Sequence, residues 1–247
     1  MLHRRKFLGL LVACPLCAQT ARAAEGAHWE YEGALGVERW GELDPAYRVC
    51  AVGRDQSPID LKGAITAQSD RAALDWKPQA YTVLNNGHTI QAAAEPGSTL
   101  RLGDETYELK QFHFHTPSEH AIDGRKTAME AHFVHAQGSR LAVVGVFLTA
   151  GGANAAFSKV MAIAPATEGE AKLAAPIDVR SLLPKTGPLY RYEGSLTIPP
   201  CSENVDWNIY GASVAVADKD IEAFKKLFPN NARPLQPLNR RFLLREG

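Results

Sequence analysis

Between Gln111 and His135 the sequence reads QFHFHTPSEHAIDGRKTAMEAHFVH. These residue types suit one chemistry, the holding of a divalent metal on imidazole nitrogens so that it activates water. Gln111, His113 and His115 alternate with Phe112 and Phe114, the period-two pattern of a strand with one buried face. Side chains at i and i+2 project to the same side, so the glutamine and both histidines share a face. After a turn at Asp123-Gly124, the run Glu130-Ala131-His132-Phe133-Val134 alternates in the same way. If the two runs pair as antiparallel neighbours, three imidazoles converge on one point. Taken singly, each of the eight histidines is better read as a satisfied core imidazole. The shared parity of His113, His115 and His132 changes that reading. So do Gln111 and Glu130, each two positions before a histidine on the same face, where an acceptor can fix a ligand's tautomer. Three neutral histidines leave a fourth tetrahedral position open, which is a catalytic zinc set. Calcium and magnesium, which seek oxygen ligands, fit less well. His135 has the opposite parity to His132, and it and His120 suit supporting or structural roles.

The elements that must position these residues are short strands. Residues 81–84 read as a strand ended by Asn85-Asn86-Gly87, residues that tolerate left-handed turns. Residues 89–91, 99–102 and 106–109 follow, separated by Pro96-Gly97 and Gly103-Asp104, and the last runs into the histidine strand. The apolar run 141–148 predicts a central strand buried on both faces. Residues 153–163 predict a short helix, and 164–188 predict loops with one helical turn near Glu170 to Leu173. Residues 190–192, 196–198 and 205–210 are further strands. Asp218 is a cap for a helix whose apolar face is Ile221, Phe224, Leu227 and Phe228, stopped by Pro229. Residues 25–54 lack periodicity and read as an irregular arm anchored by Trp29, Tyr31, Trp40 and Tyr47. The whole predicts a mainly β (α+β) single domain over residues 24–247, with short helices and neither an internal repeat nor a dividing linker.

The first 23 residues read as a removable leader. Arg4-Arg5-Lys6-Phe7-Leu8 precedes a short apolar run, and Ala21-Arg22-Ala23 offers small residues at a cleavage site, a pattern like the twin-arginine export signal. A lipoprotein-type cleavage that tethers the chain through Cys14 is the other reading. Either way the protein is expected in the periplasm or outside the cell. Removing the leader takes Arg4, Arg5, Lys6 and Arg22 and no acid from totals of 27 bases and 27 acids, which leaves a net charge of −4. No basic stripe stands out, so nucleic acid is not an expected partner. Cys14 and Cys17 leave with the leader. Cys50 and Cys201 remain, to pair in an oxidising compartment or to stay as two buried thiols.

With these residues assembled, the chain resembles the alpha-class carbonic anhydrases. The resemblance rests on the QFHFH run, Glu119-His120 and Glu130-Ala131-His132-Phe133-Val134-His135. It extends to Asn85-Asn86-Gly87-His88, residues 141–145, Gly194-Ser195-Leu196-Thr197-Ile198-Pro199-Pro200 and Trp207, then to His28-Trp29-Glu30-Tyr31, Gln56-Ser57-Pro58 and residues 233–237. It covers nearly everything from Trp29 to Arg241. It implies a large, twisted, mostly antiparallel central sheet with short surface helices, and the reversible hydration of CO2 to bicarbonate by hydroxide formed on Zn2+. His113, His115 and His132 would be the ligands, supported by Gln111 and Glu130. Thr197 would be the gatekeeper that orients the nucleophile and passes its own proton to Glu119, and His88 the proton shuttle. Val134, Val143, Leu196 and Trp207 would wall the substrate pocket. Cys50 and Cys201 fall where exported members carry a disulfide. Sulfonamides and anions are the inhibitors it implies, and a homodimer the assembly. One departure stands out: Ile198 follows the gatekeeper where the family usually has a small polar residue, which implies altered bicarbonate and inhibitor affinity. The rival readings are a non-catalytic domain of the same fold, which typically lacks a zinc histidine, and an exported zinc esterase.

Overall fold

The computed structural model describes residues 26–68 and 72–247; the expected leader, Cys14 included, lies outside them. Twelve strands are present among the described residues: β1 Ile65–Thr66, β2 Ala73–Asp75, β3 Thr82–Asn85, β4 Ile90–Ala93, β5 Thr99–Leu102, β6 Glu105–His115, β7 Met129–Gln137, β8 Arg140–Ala150, β9 Gly169–Lys172, β10 Leu189–Gly194, β11 Val205–Val216 and β12 Leu244–Glu246. They form one open, twisted sheet in the order β1-β12-β10-β11-β8-β7-β6-β4-β3-β9, with β5 pairing both β6 and β2. The sheet is mostly antiparallel; β11–β8 and β1–β12 are its parallel pairs. No helix among the described residues is long and apolar enough to cross a membrane.

Period-two alternation sorts the sheet into two faces. Phe112, Phe114, Ala131, Phe133, Val144 and Val146 point to one side and form the larger core. Two helices close that core, α3 Ala155–Ile163 through Phe157 and Val160, and α4 Asp218–Leu227 through Ile221 and Phe224. The intervening residues point the other way: His113 and His115 on β6, His132 and Val134 on β7, and Val143 and Phe147 on β8, the last three packing with Trp207 and Ile209. The strand 141–148 is central and buried on both faces, because β7 and β11 flank it and each face carries a core.

Several sequence expectations are corrected. Residues 196–198 are not a strand: the chain leaves the sheet after Gly194. There the Ser195 N–H donates to Ser57 Oγ and the Leu196 N–H to Ser202 O, and Pro199-Pro200 has no N–H to give a ladder. The helical turn expected near Glu170 is instead strand β9, since pairing with the open edge of β3 outweighs the helical preference of a Gly-Glu-Ala-Lys segment. The turn of helix sits further on, at Val179–Leu182. The N-terminal arm contains short helical turns, among them Trp40–Leu43 and Val49–Val52. Asp218 is the first residue of α4 and not its cap; with Asp220 it places negative charge in the first turn, where the helix dipole favours it.

Candidate metal centre

The register of β6 against β7 sets His113 directly opposite His132 and His115 opposite Glu130. The three imidazoles each bring one ring nitrogen to within 4.8 Å of the others. The remaining nitrogen of every ring is engaged. His113 Nδ1 lies 2.8 Å from Gln111 Oε1, His115 Nδ1 lies 2.7 Å from the carbonyl of Asn231, and His132 Nε2 lies 2.9 Å from Glu130 Oε1. Acceptors fix each ring's tautomer, so His113 Nε2, His115 Nε2 and His132 Nδ1 carry lone pairs toward one point. His115 Nε2 is buried without a hydrogen-bond partner among the described residues. An orphaned imidazole nitrogen aimed at two other nitrogen donors fits a metal of zinc's preferences. Burial, with mutual repulsion among the rings, holds His113 well below the usual histidine range, and burial lowers His115 as well. Both are therefore neutral and competent to ligate.

Glu130 anchors a wider network. Burial opposes its charge, yet His120 and His132 hold its carboxyl well below the usual range. Its Oε1 lies 2.8 Å from His120 Nδ1, and its Oε2 accepts the His120 backbone N–H at 2.8 Å. His120 Nε2 meets Tyr192 Oη at 2.7 Å, and the Tyr192 and Ser57 hydroxyls lie 2.9 Å apart. Ser57 Oγ then accepts the N–H of Ser195, two residues before Thr197. A buried hydrogen-bonded chain thus joins a candidate ligand to the loop that carries Thr197. Gly194 makes room for it, because a Cβ there would meet Ser57 Oγ at 2.3 Å. Although His120, Glu130 and His132 also cluster, Glu130 Oε1 is shared between His120 Nδ1 and His132 Nε2, which commits those atoms to one another.

Glu119 is fully buried. Its Oε1 accepts the Arg233 backbone N–H at 2.8 Å, while its Oε2 has no hydrogen-bond partner among the described residues and lies 3.5 Å from His115 Nε2 and 3.9 Å from His132 Nδ1. Thr197 is buried on the loop that follows β10. Val134, Val143, Leu196 and Trp207 pack in one cluster, with the Trp207 ring 4.8 Å from that of His132. Ile198 is not with them. It packs against Trp29, Trp40 and Cys201, toward the arm. Cys50 and Cys201 form a disulfide, which ties the arm to the Thr197 loop.

His88 is placed differently from the exposed, mobile turn residue that the sequence suggests. It is half-buried, its ring stacked on Trp29 at 3.8 Å between centroids and 9° between planes. His135 lies on the opposite face of the sheet from His132, its Nε2 accepting the Trp76 indole N–H at 3.0 Å. Sequence reasoning missed Asn231. Its backbone carbonyl holds His115, its Oδ1 accepts the Thr116 N–H, and its Nδ2 donates to the carbonyls of His88 and Phe114. A backbone acceptor leaves no trace in residue type, so no signal pointed there. Tyr192 and Ser57 were missed as network members because they come close to His120 only through long-range packing.

Known proteins resemble this chain in sequence and fold. The family model for eukaryotic-type carbonic anhydrase matches residues 35–246. A carbonic anhydrase from Neisseria gonorrhoeae is 40% identical over 238 residues, which is 95% of this chain and 94% of that one. One from Nostoc sp. is 38% identical over 98% of this chain and 97% of its own. The solved alpha-carbonic anhydrase from Thermovibrio ammonificans, in complex with the inhibitor sulfanilamide, superposes with a TM-score of 0.86. It shares 41% identity, over 89% of this chain and 99% of that one.

Proposed function

The chain belongs to the eukaryotic-type, or alpha, carbonic anhydrases, and from that premise we propose that it hydrates CO2 reversibly with zinc held by His113, His115 and His132. The observation that carries this reading is the convergence of three imidazoles, each fixed by an acceptor on its far side, with His115 Nε2 left without a hydrogen-bond partner among the described residues. Zinc held there would lower the pKa of a bound water from about 15.7 to about 7 and so would supply a nucleophile at neutral pH. The chain's residues supply the rest. Because Arg233 occupies Glu119 Oε1, Glu119 Oε2 is left to accept a proton-bearing partner, and in this reading the Thr197 hydroxyl donates to it. A hydroxyl whose hydrogen is committed to Glu119 presents only lone pairs to the attacking water and so sets its orientation. Val134, Val143, Leu196 and Trp207 offer CO2 an apolar wall and exclude competing water. His88 carries the released proton away, since imidazole titrates nearest the working pH.

Sulfonamides and small anions are the inhibitors in this reading, supported by the sulfanilamide complex of the Thermovibrio enzyme. Export to the periplasm or beyond is proposed from the leader pattern and is compatible with the Cys50–Cys201 disulfide. Mass spectrometry of the mature N-terminus separates cleavage after Ala23 from lipidation at Cys14. Sedimentation of the mature chain tests the homodimer. Zinc analysis combined with stopped-flow CO2 hydration, with and without a sulfonamide, tests the function. One zinc per chain with sulfonamide-sensitive hydration is expected. Zinc without hydration would make the chain a binding domain on this fold.

A further inference from the structure

The side chain of Arg233 is buried, at 2% exposure, and the hydration chemistry at the metal gives it no task. Its Nη1 donates to the carbonyl of Ser57 at 2.8 Å and its Nη2 to that of Cys50 at 3.2 Å. The guanidinium carbon lies 5.6 Å from the centroid of the Trp40 ring. Nε has no hydrogen-bond partner among the described residues. Burial pushes the guanidinium down to about 10, against the pull of Glu119 and Glu203, so it is a cation at neutral pH. A buried cation held by carbonyls and a ring face costs free energy that an apolar side chain of the same volume would not. Packing alone therefore does not account for arginine at this position.

The two carbonyls supply the account. Thr197 stands on a loop that is fixed on either side, at Ser195 and at Cys201. Ser195 is held by Ser57, whose N–H donates to Ser195 Oγ at 2.9 Å and whose Oγ accepts the Ser195 N–H at 3.0 Å. Cys201 is held by Cys50 through the disulfide. One guanidinium thus grips both anchors of the loop, and the N–H of the same residue grips Glu119 Oε1. The chain on either side of Arg233 runs along the same partners: the Asn231 N–H donates to Thr116 O, and the Gln236 N–H to Pro58 O. We infer that the Arg233 side chain is a positioning residue, which sets Glu119 and the Thr197 loop at a fixed separation. The inference rests on the Glu119–Thr197 pairing proposed above. A planar fork with donors at fixed spacing holds two carbonyls in register at once. A lysine ammonium, a point charge on a flexible stem, does not fix their spacing.

The test compares the parent, Arg233→Lys and Arg233→Met by backbone amide exchange in the zinc-free chain and by stopped-flow hydration in the zinc-loaded one. The amides of residue 233 and Ser195 should exchange about tenfold faster in Arg233→Met, because their acceptors are no longer held in place. Hydration should lose about tenfold in kcat/KM in Arg233→Met and about threefold in Arg233→Lys, with one zinc per chain retained. The kcat in dilute buffer, which proton release through His88 limits in this reading, should change less than kcat/KM. Equal losses in kcat and kcat/KM together with a loss of zinc would show a purely structural role and overturn the proposal. Unchanged amide exchange or an unchanged kcat/KM would overturn it too. If Arg233→Met does not fold, Arg233→Lys decides, by the same split between kcat/KM and kcat or by its absence. A zinc-loaded parent that does not hydrate CO2 would defeat the hydration reading instead, and amide exchange would then still decide whether Arg233 fixes the loop.

Discussion

His115 and His132 are each 1% exposed, and one ring nitrogen of each is tied to a protein acceptor, whereas His88 is half-buried, without a partner at Nδ1 among the described residues, and held by a stack on Trp29. Both regions use imidazole, and the difference lies in what each ring is permitted to do. A ligand must keep one tautomer and one orientation, so the sheet register and three separate acceptors immobilise it. A proton carrier must change its charge and partner in every turnover, so a flat, non-directional stacking surface suits it better than a hydrogen bond would. Asn231 joins the two regions, one residue holding both the His115 ring and the His88 backbone.

The largest effect should come from breaking the rigid side outright. His132→Ala removes a donor and is expected to abolish zinc binding and hydration together, read by metal analysis. Gln111→Leu spares the donor and removes only its support, so zinc affinity should fall by roughly 10–100-fold with activity restored by added zinc. Equal losses in the two variants would mean that His132 is not a ligand. Asn231→Ala tests the link. It deletes the side-chain bonds to Thr116, His88 and Phe114 but keeps the carbonyl on His115. Denaturant unfolding should show a loss of about 2–3 kcal/mol, and kcat should fall more than kcat/KM as the His88 backbone loosens.

His135 extends the comparison to a histidine with no catalytic part. Burial pushes it down to about 4, so it is neutral in the folded chain and free to protonate near pH 6.5 when unfolded. The stability this neutral ring gives is complete above about pH 6.5 and is lost as pH falls toward 4, at about 1.4 kcal/mol per pH unit. His135→Leu should be less stable than the parent at pH 8 by about 1–3 kcal/mol, because the Trp76 indole N–H loses its acceptor. That gap should narrow on acidification, measured by urea unfolding across the range. A constant gap would show that His135 does not titrate on unfolding. The smallest effect concerns Ile198, which packs on the arm cluster and away from the Trp207 wall. Ile198→Thr is expected to change bicarbonate and anion affinity about threefold or less and to leave zinc content unaltered; identical anion inhibition would remove Ile198 from the pocket altogether.

The rigid side was legible in the sequence because a strand writes its faces in alternate letters. Gln111, His113 and His115 could be assigned to one face, and His132 to the same point, with no knowledge of the fold beyond one hairpin. Glu119 and Thr197 came only through resemblance, since their places depend on contacts between residues distant in the chain, whereas Cys50 and Cys201 could be paired by count once the leader was set aside. What the sequence did not reveal depends on backbone groups and on the path of loops. The carbonyl of Asn231 and the amide of Arg233 look like any others in one-letter code. Residues 196–198 resembled a strand until the Ser195 and Leu196 amides proved to be bonded outside the sheet. His88 read as a mobile turn residue because the stacking partner, Trp29, lies in an arm that has no periodicity to place it.

The proposed division between a metal side fixed by acceptors and a proton-carrying His88 is tested most directly by stopped-flow CO2 hydration of the zinc-loaded parent and His88→Ala in dilute buffer. The account predicts one zinc per chain in both, equal kcat/KM, and a kcat at least about tenfold lower in the variant that concentrated imidazole restores. Zinc-loaded parent enzyme that does not hydrate CO2, or a His88→Ala variant with undiminished kcat, would contradict it.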